Sequence, residues 1–492
     1  MLFSSLIFLV FFLPCVLFGY YVIFRKSRRF QNYFLLLASL GFYAWGEPWF
    51  VLVMMLSICA NFVFGLLVDK YKRGAGYEGT PLGQKKARAA LTLSVVFNLT
   101  IIFIFKYLMF TLKNINGLLG TDIFVPKIAL PIGISFFTFQ AISYVVDIYR
   151  GRGQVQKNLL NVGLYISFFP QLIAGPIVRY ETIADQIENR KESFDLFSSG
   201  VCRFIAGFAK KVFLANSFAV IADKVFAVAT TDYCSVSFAW LGAIAYTLQI
   251  YYDFSGYSDM AIGLGRMFGF QFLENFNYPY TSRSVSEFWR RWHMSLGSWF
   301  RDYVYFPLGG SRVNSKARLV FNLLVVWFLT GLWHGANWTF ICWGLMYFVL
   351  ISAEKLTGFE KRLSQIGDTS VAGRVFSHFY TMVLVVFGWV FFRSDSMGDA
   401  INYFSIMFGN SNVAFFDKFF LGYVKENAWY LFFGLLFSAP AVPKFGAFMK
   451  KKFGDGNALV NAGFAVLYTG AVIFAMSYLI KGAYNPFIYF NF

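Results

Sequence analysis

Three histidines, His293, His334 and His378, stand in 492 residues. A neutral imidazole can take a proton from a hydroxyl near neutral pH, so each is a candidate general base. His334 lies in Leu332-Trp333-His334-Gly335-Ala336-Asn337-Trp338, near the end of an apolar run. Counted from Arg318, it stands about 24 Å along a helix. That is membrane depth, nearer the outer face, where an ionisable group is a functional candidate by default. The plain alternative is a hydrogen-bonded histidine that staples two helices, and position alone leaves both open. His293 follows Trp289-Arg290-Arg291-Trp292. Arg290 and Arg291 between tryptophans suit snorkelling interfacial anchors, and equally a seat for the phosphates of an acyl carrier. His378 follows Arg374 at the basic end of a span and reads as an ordinary interfacial residue.

The carboxylates of Asp253 and Asp259 flank Gly256 in an apolar stretch. Polar groups there need partners inside the protein. They form either a helix-capping and hydrogen-bonding network or the polar wall of an acceptor cavity. Arg301 and Asp302, in Trp299-Phe300-Arg301-Asp302-Tyr303, carry the same two readings. No HExxH, no GxSxG and no P-loop occurs, and no Cys, His and carboxylate set has metal-ligand spacing. Hydrolase and nucleotidase chemistry is therefore weakly supported and no metal is expected. Cys15, Cys59, Cys202, Cys234 and Cys342 are scattered and read as small buried hydrophobes.

The elements that must position these residues are apolar. Hydrophobic residues make up 58% of the chain and charged ones 14%, against about 25% charged in soluble domains. That excludes ordinary soluble domains, a disordered chain and a coiled coil, and leaves an all-α polytopic membrane protein. The net charge of +18 fits basic loops beside an anionic leaflet. It does not indicate nucleic acid, because no basic run lies in a soluble module. Leu2–Phe24 precedes Arg25, Lys26, Arg28 and Arg29 and reads as a retained first span with its N-terminus outside. Tyr33–Gly46, Trp49–Val68, Ala89–Thr111 and Ile132–Ile148 follow, with a basic loop from Lys70 to Arg88. Tyr165–Arg179, with two prolines and a glycine, reads as a re-entrant element. Gly200–Val228, carrying Arg203, Lys210, Lys211 and Lys224, reads as an interfacial amphipathic helix. Phe238–Tyr252 and Phe254–Phe272 are expected to go out and back. Thr281–Arg318 is a basic and aromatic segment on the cytoplasmic side. Leu319–Trp338, Thr339–Leu356, Phe379–Phe392, Trp429–Val442 and Leu459–Ile480 complete about twelve crossings, with both termini outside.

Several strings are similar to the membrane-bound O-acyltransferase family, and most to its alginate O-acetyltransferase branch. They are LPIGISFFTFQAISYVVDIYRG from Leu130, FPQLIAGPIVRY from Phe169 and YYDFSGYSDMAIGLGRMFGF from Tyr251. ENFNYPY from Glu274, SEFWRRWHMSLGSWFRDYVYFPLGG from Ser286, GLWHGANWTFICWG from Gly331 and PFIYFNF from Pro486 continue the pattern. The resemblance covers nearly the whole chain. It implies one membrane domain over residues 1–492: N-terminal helices to 160, a core at 161–356 and C-terminal helices at 357–492. It also implies cavities opening to both membrane faces, with His334 between them as the catalytic histidine and His293 as a second. On this reading Arg290, Arg291, Asp253, Asp259, Arg301, Asp302 and Asn337 contact substrates. The implied reaction moves acetyl from a cytoplasmic thioester, such as acetyl-CoA, to an extracytoplasmic polysaccharide. No tightly bound cofactor is expected. A separate periplasmic partner of the SGNH type is, and so is a bacterial cytoplasmic membrane. Two alternatives stand beside it. One is D-alanyl transfer to teichoic acid. The other is a polysaccharide transporter or flippase, which polar intramembrane residues would suit, although no repeated half is visible.

Overall fold

The computed structural model of the chain describes residues 1–229, 234–409, 413–454, 456–482 and 484–488. The described residues form helices and no strand. Of the C-terminal PFIYFNF string, only Pro486, Phe487 and Ile488 fall among them. The chain forms two compact units, Met1–Phe204 with Met260–Leu273, and Ile205–Asp259 with Glu274–Phe492.

The first unit is built on the long helices Phe50–Arg73 and Pro81–Leu119, the latter with a π turn at Phe103–Tyr107. Thr80 caps Pro81–Leu119, its hydroxyl accepting from the Gly83 N–H at 3.0 Å, and Pro81 fills the first helical position. Lys85, Lys86 and Arg88 therefore sit on a helical turn, not in the loop expected for them. Asn61 and Asn98 exchange amide hydrogen bonds at 3.1 and 2.7 Å, and the Ser94 hydroxyl joins at 3.0 Å. Such buried interhelical bonds hold apolar helices together where lipid gives no hydrophobic drive. The prolines of Tyr165–Arg179 break the backbone as expected. Leu159–Ser167 stops at Phe168, resumes for one turn at Phe169–Leu172, and then runs irregularly to Arg179. The freed groups find protein partners. The Phe169 N–H donates to the Ser39 hydroxyl at 3.1 Å, and the Tyr165 hydroxyl to the Val178 carbonyl at 2.9 Å.

Two expectations fail in instructive ways. Phe238–Tyr252 and Phe254–Phe272 are not two crossings, because Val236–Met267 is one continuous 32-residue helix. Gly256 does not break it. A Cβ there would lie 2.8 Å from the Gly207 carbonyl oxygen, so this glycine serves close helix contact, not a turn. Gly200–Val228 is not merely interfacial either. Phe194–Val228 is long and apolar enough to cross a membrane, and two of its lysines, Lys210 and Lys211, are neutralised internally, as shown below.

In the second unit, Lys316–His334, Trp338–Thr357 and Val371–Arg393 pack together, with the amphipathic Phe359–Thr369 between the last two. Ala428–Phe437 and Ala441–Phe453 meet at a 67° bend, where Pro440 interrupts the expected Trp429–Val442 span. Among the described residues, seven helices are long and apolar enough to span, or eight if the bent pair counts as one. The shorter apolar helix Ile7–Ile23 stands outside that number. Burial is not common to the cysteines: Cys234 is buried, whereas Cys15 and Cys59 are exposed on apolar helices.

Candidate active site

His334 is the final residue of Lys316–His334 and is 7% exposed. The Ser315 hydroxyl caps the start of this helix, accepting from Arg318 at 3.1 Å. At its end the backbone leaves the helix at Gly335, where a Cβ would collide with the Phe340 ring. The Asn337 side chain then caps Trp338–Thr357, accepting from the Thr339 N–H at 3.2 Å. Its amide NH₂ donates to the Asp395 carbonyl at 2.8 Å. Gly331 and Gly344 let the two helices touch, since a Cβ at either would lie 2.5 Å from a backbone oxygen of the other helix. The string from Trp333 to Asn337 is thus a tight helical hairpin with an imidazole at its tip. That imidazole stands edge-to-face against Trp333, Trp343 and Phe392, each with ring centroids 4.9 Å away. Aromatic walls of this kind keep bulk water from the ring.

His293 shares Trp333 as a neighbour, with ring centroids 5.7 Å apart, and lies 1% exposed. Its backbone has φ 46° and ψ 51°, the left-handed region that a residue with a Cβ seldom adopts. Asn275 holds it there. The Asn275 carbonyl accepts from Met294 N–H at 2.9 Å, and its side-chain oxygen lies 3.1 Å from His293 Nδ1. The same oxygen accepts from the Ser295 hydroxyl at 2.8 Å, and the Asn275 amide donates to the Ser258 hydroxyl at 2.9 Å. With an amide oxygen facing Nδ1, the network assigns the proton to Nδ1. Nε2 is left as a buried lone pair with no hydrogen-bond partner among the described residues. The ring is thus neutral and held in one orientation. His293 lies outside the spanning helices, and burial pushes its pKa down to about 3.

A pH dependence follows. The unfolded chain takes up a proton on this residue near pH 6.5, which the folded chain refuses until about pH 3. Stability tied to His293 is therefore complete above about pH 6.5 and falls as the pH drops toward 3. Melting temperatures should decline between about pH 7 and 5, and less steeply in His293→Asn. Identical slopes in the two proteins would contradict a buried neutral imidazole.

Arg290 and Arg291 close the short helix Val285–Arg291. Its first N–H groups, those of Val285 and Ser286, both donate at 2.8 Å to the buried carboxylate of Glu354. Aromatics turn inward here: Trp289 on the helix has its ring centroid 5.4 Å from that of Trp343, and Trp292, just past the helix end, 4.8 Å from that of Trp389. Trp343 is also a neighbour of His334. The outer face opens on a cleft of about 1230 Å³. Arg283, Arg290, Arg291, Lys361, Arg374 and Lys444 line it, against only Glu287 and Glu360 as acids. Arg290 meets Glu360 at 2.5 Å, Arg291 meets Glu287 at 2.8 Å and Arg283 meets Asp368 at 2.6 Å, which leaves Lys361, Arg374 and Lys444 as the net positive charge of the cleft. His378, expected to be an ordinary interfacial residue, lines this cleft too.

The other expected contacts lie elsewhere. Asp253 and Asp259 stand mid-helix, so they are not caps. Asp253 pairs with Lys211 at 2.7 Å and also accepts the Ile488 N–H at 2.9 Å, while Asp259 pairs with Lys210 at 2.7 Å. The opposite face of that helix brings Phe254 and Ser258 to His293 and Asn275. Arg301 is largely exposed and lies 3.5 Å from the Asp302 carboxylate. Sequence reasoning missed Asn275, Ser258 and Ser295. Its one available signal was an asparagine beside Phe276 in Glu274-Asn275-Phe276-Asn277.

Comparison with known proteins bears on this arrangement. The profile of MBOAT, the membrane-bound O-acyltransferase family, matches residues 37–394. A protein named probable alginate O-acetylase AlgI, from Pseudomonas syringae pv. tomato, is 43% identical over 412 residues, covering 83% of this chain and 75% of that one. The peptidoglycan O-acetyltransferase of Helicobacter pylori is 33% identical over 446 residues, covering 84% and 81%. The teichoic acid D-alanyltransferase of Bacillus subtilis is 29% identical over 239 residues, covering 47% and 60%. The profile match contains His293, His334 and Asn275.

Proposed function

Because the chain belongs to the membrane-bound O-acyltransferase family, we propose that it carries acetyl groups across the bacterial inner membrane, from a cytoplasmic thioester to an extracytoplasmic glycan. It is an integral membrane protein and an O-acyltransferase. The observation that carries the finer reading is the two-faced helix Val285–Arg291. Its arginines line a basic cleft, and its Trp289 reaches Trp343 in the aromatic shell of His334. A donor with several phosphates, such as coenzyme A, suits six basic side chains in a space of about 1230 Å³. Positive-inside reasoning supports the cleft end as cytoplasmic.

The chemistry follows from the residues. The His334 imidazole takes the proton of the accepting hydroxyl as its oxygen attacks the thioester carbonyl carbon. The carbon–sulfur bond breaks, the thiolate leaves and takes up that proton, and an oxygen ester remains. His293 is a second neutral base or a positioning group on the same route. The accepting hydroxyl belongs either to the glycan itself or to a periplasmic partner of the SGNH type that hands the acetyl on.

The experiment is transfer of radiolabelled acetyl from acetyl-CoA into polymer, in membrane vesicles that present the cleft side outward. Arg290→Gln together with Arg291→Gln should raise the donor KM about tenfold with little change in kcat. The effect should shrink at high salt. An unchanged donor KM would move the phosphate seat elsewhere.

A further inference from the structure

We propose that the helix Ala441–Phe453 lies along the membrane face at which the basic cleft opens, and that its lysines bind the headgroups of anionic lipid there. This surface site goes beyond the transfer reading and stands whatever molecule fills the cleft. Both ends of the helix meet the same face. At its start, Pro440 and Lys444 line the cleft, and so does Arg374, near the beginning of the spanning helix Val371–Arg393. At its end, Phe453 stands five residues before Ala458–Ile480, a 23-residue helix apolar enough to span. Lys450, Lys451 and Lys452 come just ahead of that span, which puts its start on the basic side, where the cleft also lies. A helix held to one face at both ends runs along it, and the 67° bend from the apolar Ala428–Phe437 provides the turn.

The residue pattern fits that position. Val442, Phe445, Met449 and Phe453 recur at intervals of three and four and share one face with Phe448. Protein does not cover this face: Val442, Phe445, Phe448 and Phe453 are between 47% and 57% exposed. Lys444, Lys450 and Lys451 fall on the other side of the helix. Lys452 alone falls among the aromatics. Its ammonium lies 5.9 Å from the Phe448 ring centroid and 5.4 Å from that of Phe453, the posture of a side chain snorkelling from an apolar layer toward headgroups. A helix with one aromatic face and one lysine face settles at the boundary between headgroups and acyl chains. Charge decides the occupant. Four lysines and no acid stand between Ala441 and Phe453. A neutral bilayer gains nothing from them, and a second copy of this chain brings a further +18, whereas an anionic headgroup layer attracts each lysine near it.

The test is backbone hydrogen–deuterium exchange, read by mass spectrometry, on the full-length protein in vesicles. One set is phosphatidylcholine alone and the other contains about 30% phosphatidylglycerol. Peptides covering 441–453 should exchange at least about fivefold more slowly with phosphatidylglycerol at low salt, and that protection should fade at high salt. Lys450→Gln, Lys451→Gln and Lys452→Gln together, at exposed positions where folding is not at risk, should abolish the difference between the two lipids. Phe445→Ser with Phe448→Ser, which removes the inserted rings, should speed exchange in both. Equal exchange of the parent in the two lipids would show that acyl chains or a second copy cover the helix without headgroup charge, and would overturn the proposal. A lipid difference that survives the triple glutamine variant would overturn it as well, since the charge would then be read elsewhere.

Discussion

His334→Ala is expected to abolish acetyl transfer while the protein still folds and inserts. A positioned general base contributes about 10²–10⁴-fold, and no other imidazole stands at the tip of the Trp333–Asn337 hairpin. The substitution also removes a ring that touches Trp333, Trp343 and Phe392. Some destabilisation must therefore be separated from lost chemistry. His334→Gln makes the separation, since it keeps comparable volume and hydrogen-bonding groups but has no basic nitrogen. Both variants should elute as folded protein, with melting temperatures near that of the parent for Gln and lower for Ala. Both should lose acetyl incorporation by at least about a hundredfold. Activity of His334→Gln within tenfold of the parent would show that the imidazole is not the base.

The second large effect concerns stability. Lys211 and Asp253 are 3% and 2% exposed and lie 2.7 Å apart. Asp253→Ala leaves an ammonium buried without its counter-charge, and breaking such a pair from one side costs about 3–5 kcal/mol. Replacing both, as in Lys211→Met with Asp253→Leu, removes the two desolvation penalties together and should restore most of the stability. Denaturation midpoints of the two single variants and the double variant form the cycle that measures this coupling. A loss below about 1 kcal/mol in Asp253→Ala would mean that water or lipid headgroups reach the pair. Activity in the double variant carries separate information. Stability and transfer restored together make Asp253 a structural residue, whereas stability restored without transfer returns it to the substrate wall.

Much of His334 was legible because its signal is local. An uncharged run from Leu319, one imidazole and a glycine just beyond it define a helix end at membrane depth. His293 was legible as a residue but not as a geometry. Its left-handed backbone is unusual for a side chain with a Cβ, and the asparagine that enforces it lies 18 positions away. The expected division between Tyr252 and Phe254 misled because Asp253 interrupts the apolar run, and only its buried partner Lys211 shows how one helix carries that charge. Lys210 and Lys211 misled because a sequence displays charges but not their partners, and both carboxylates come from a different helix. The basic cleft was half visible. Arg290 and Arg291 announced it, but Lys361, Arg374 and Lys444 join from three later segments that only tertiary packing brings together.

The hydrogen bond from Ile488 to Asp253 spans 235 residues of chain. Lys211 also reaches the Pro486 carbonyl, so both members of the buried pair share a late-arriving partner. Ribosomes add about 5–20 residues per second, which leaves roughly ten to fifty seconds between synthesis of Asp253 and of Ile488. Throughout that interval the carboxylate and the ammonium exist in the membrane with one set of their contacts unmade. Newborn chains should therefore be most open to membrane proteases during this window, and close against them when Pro486 and Ile488 dock.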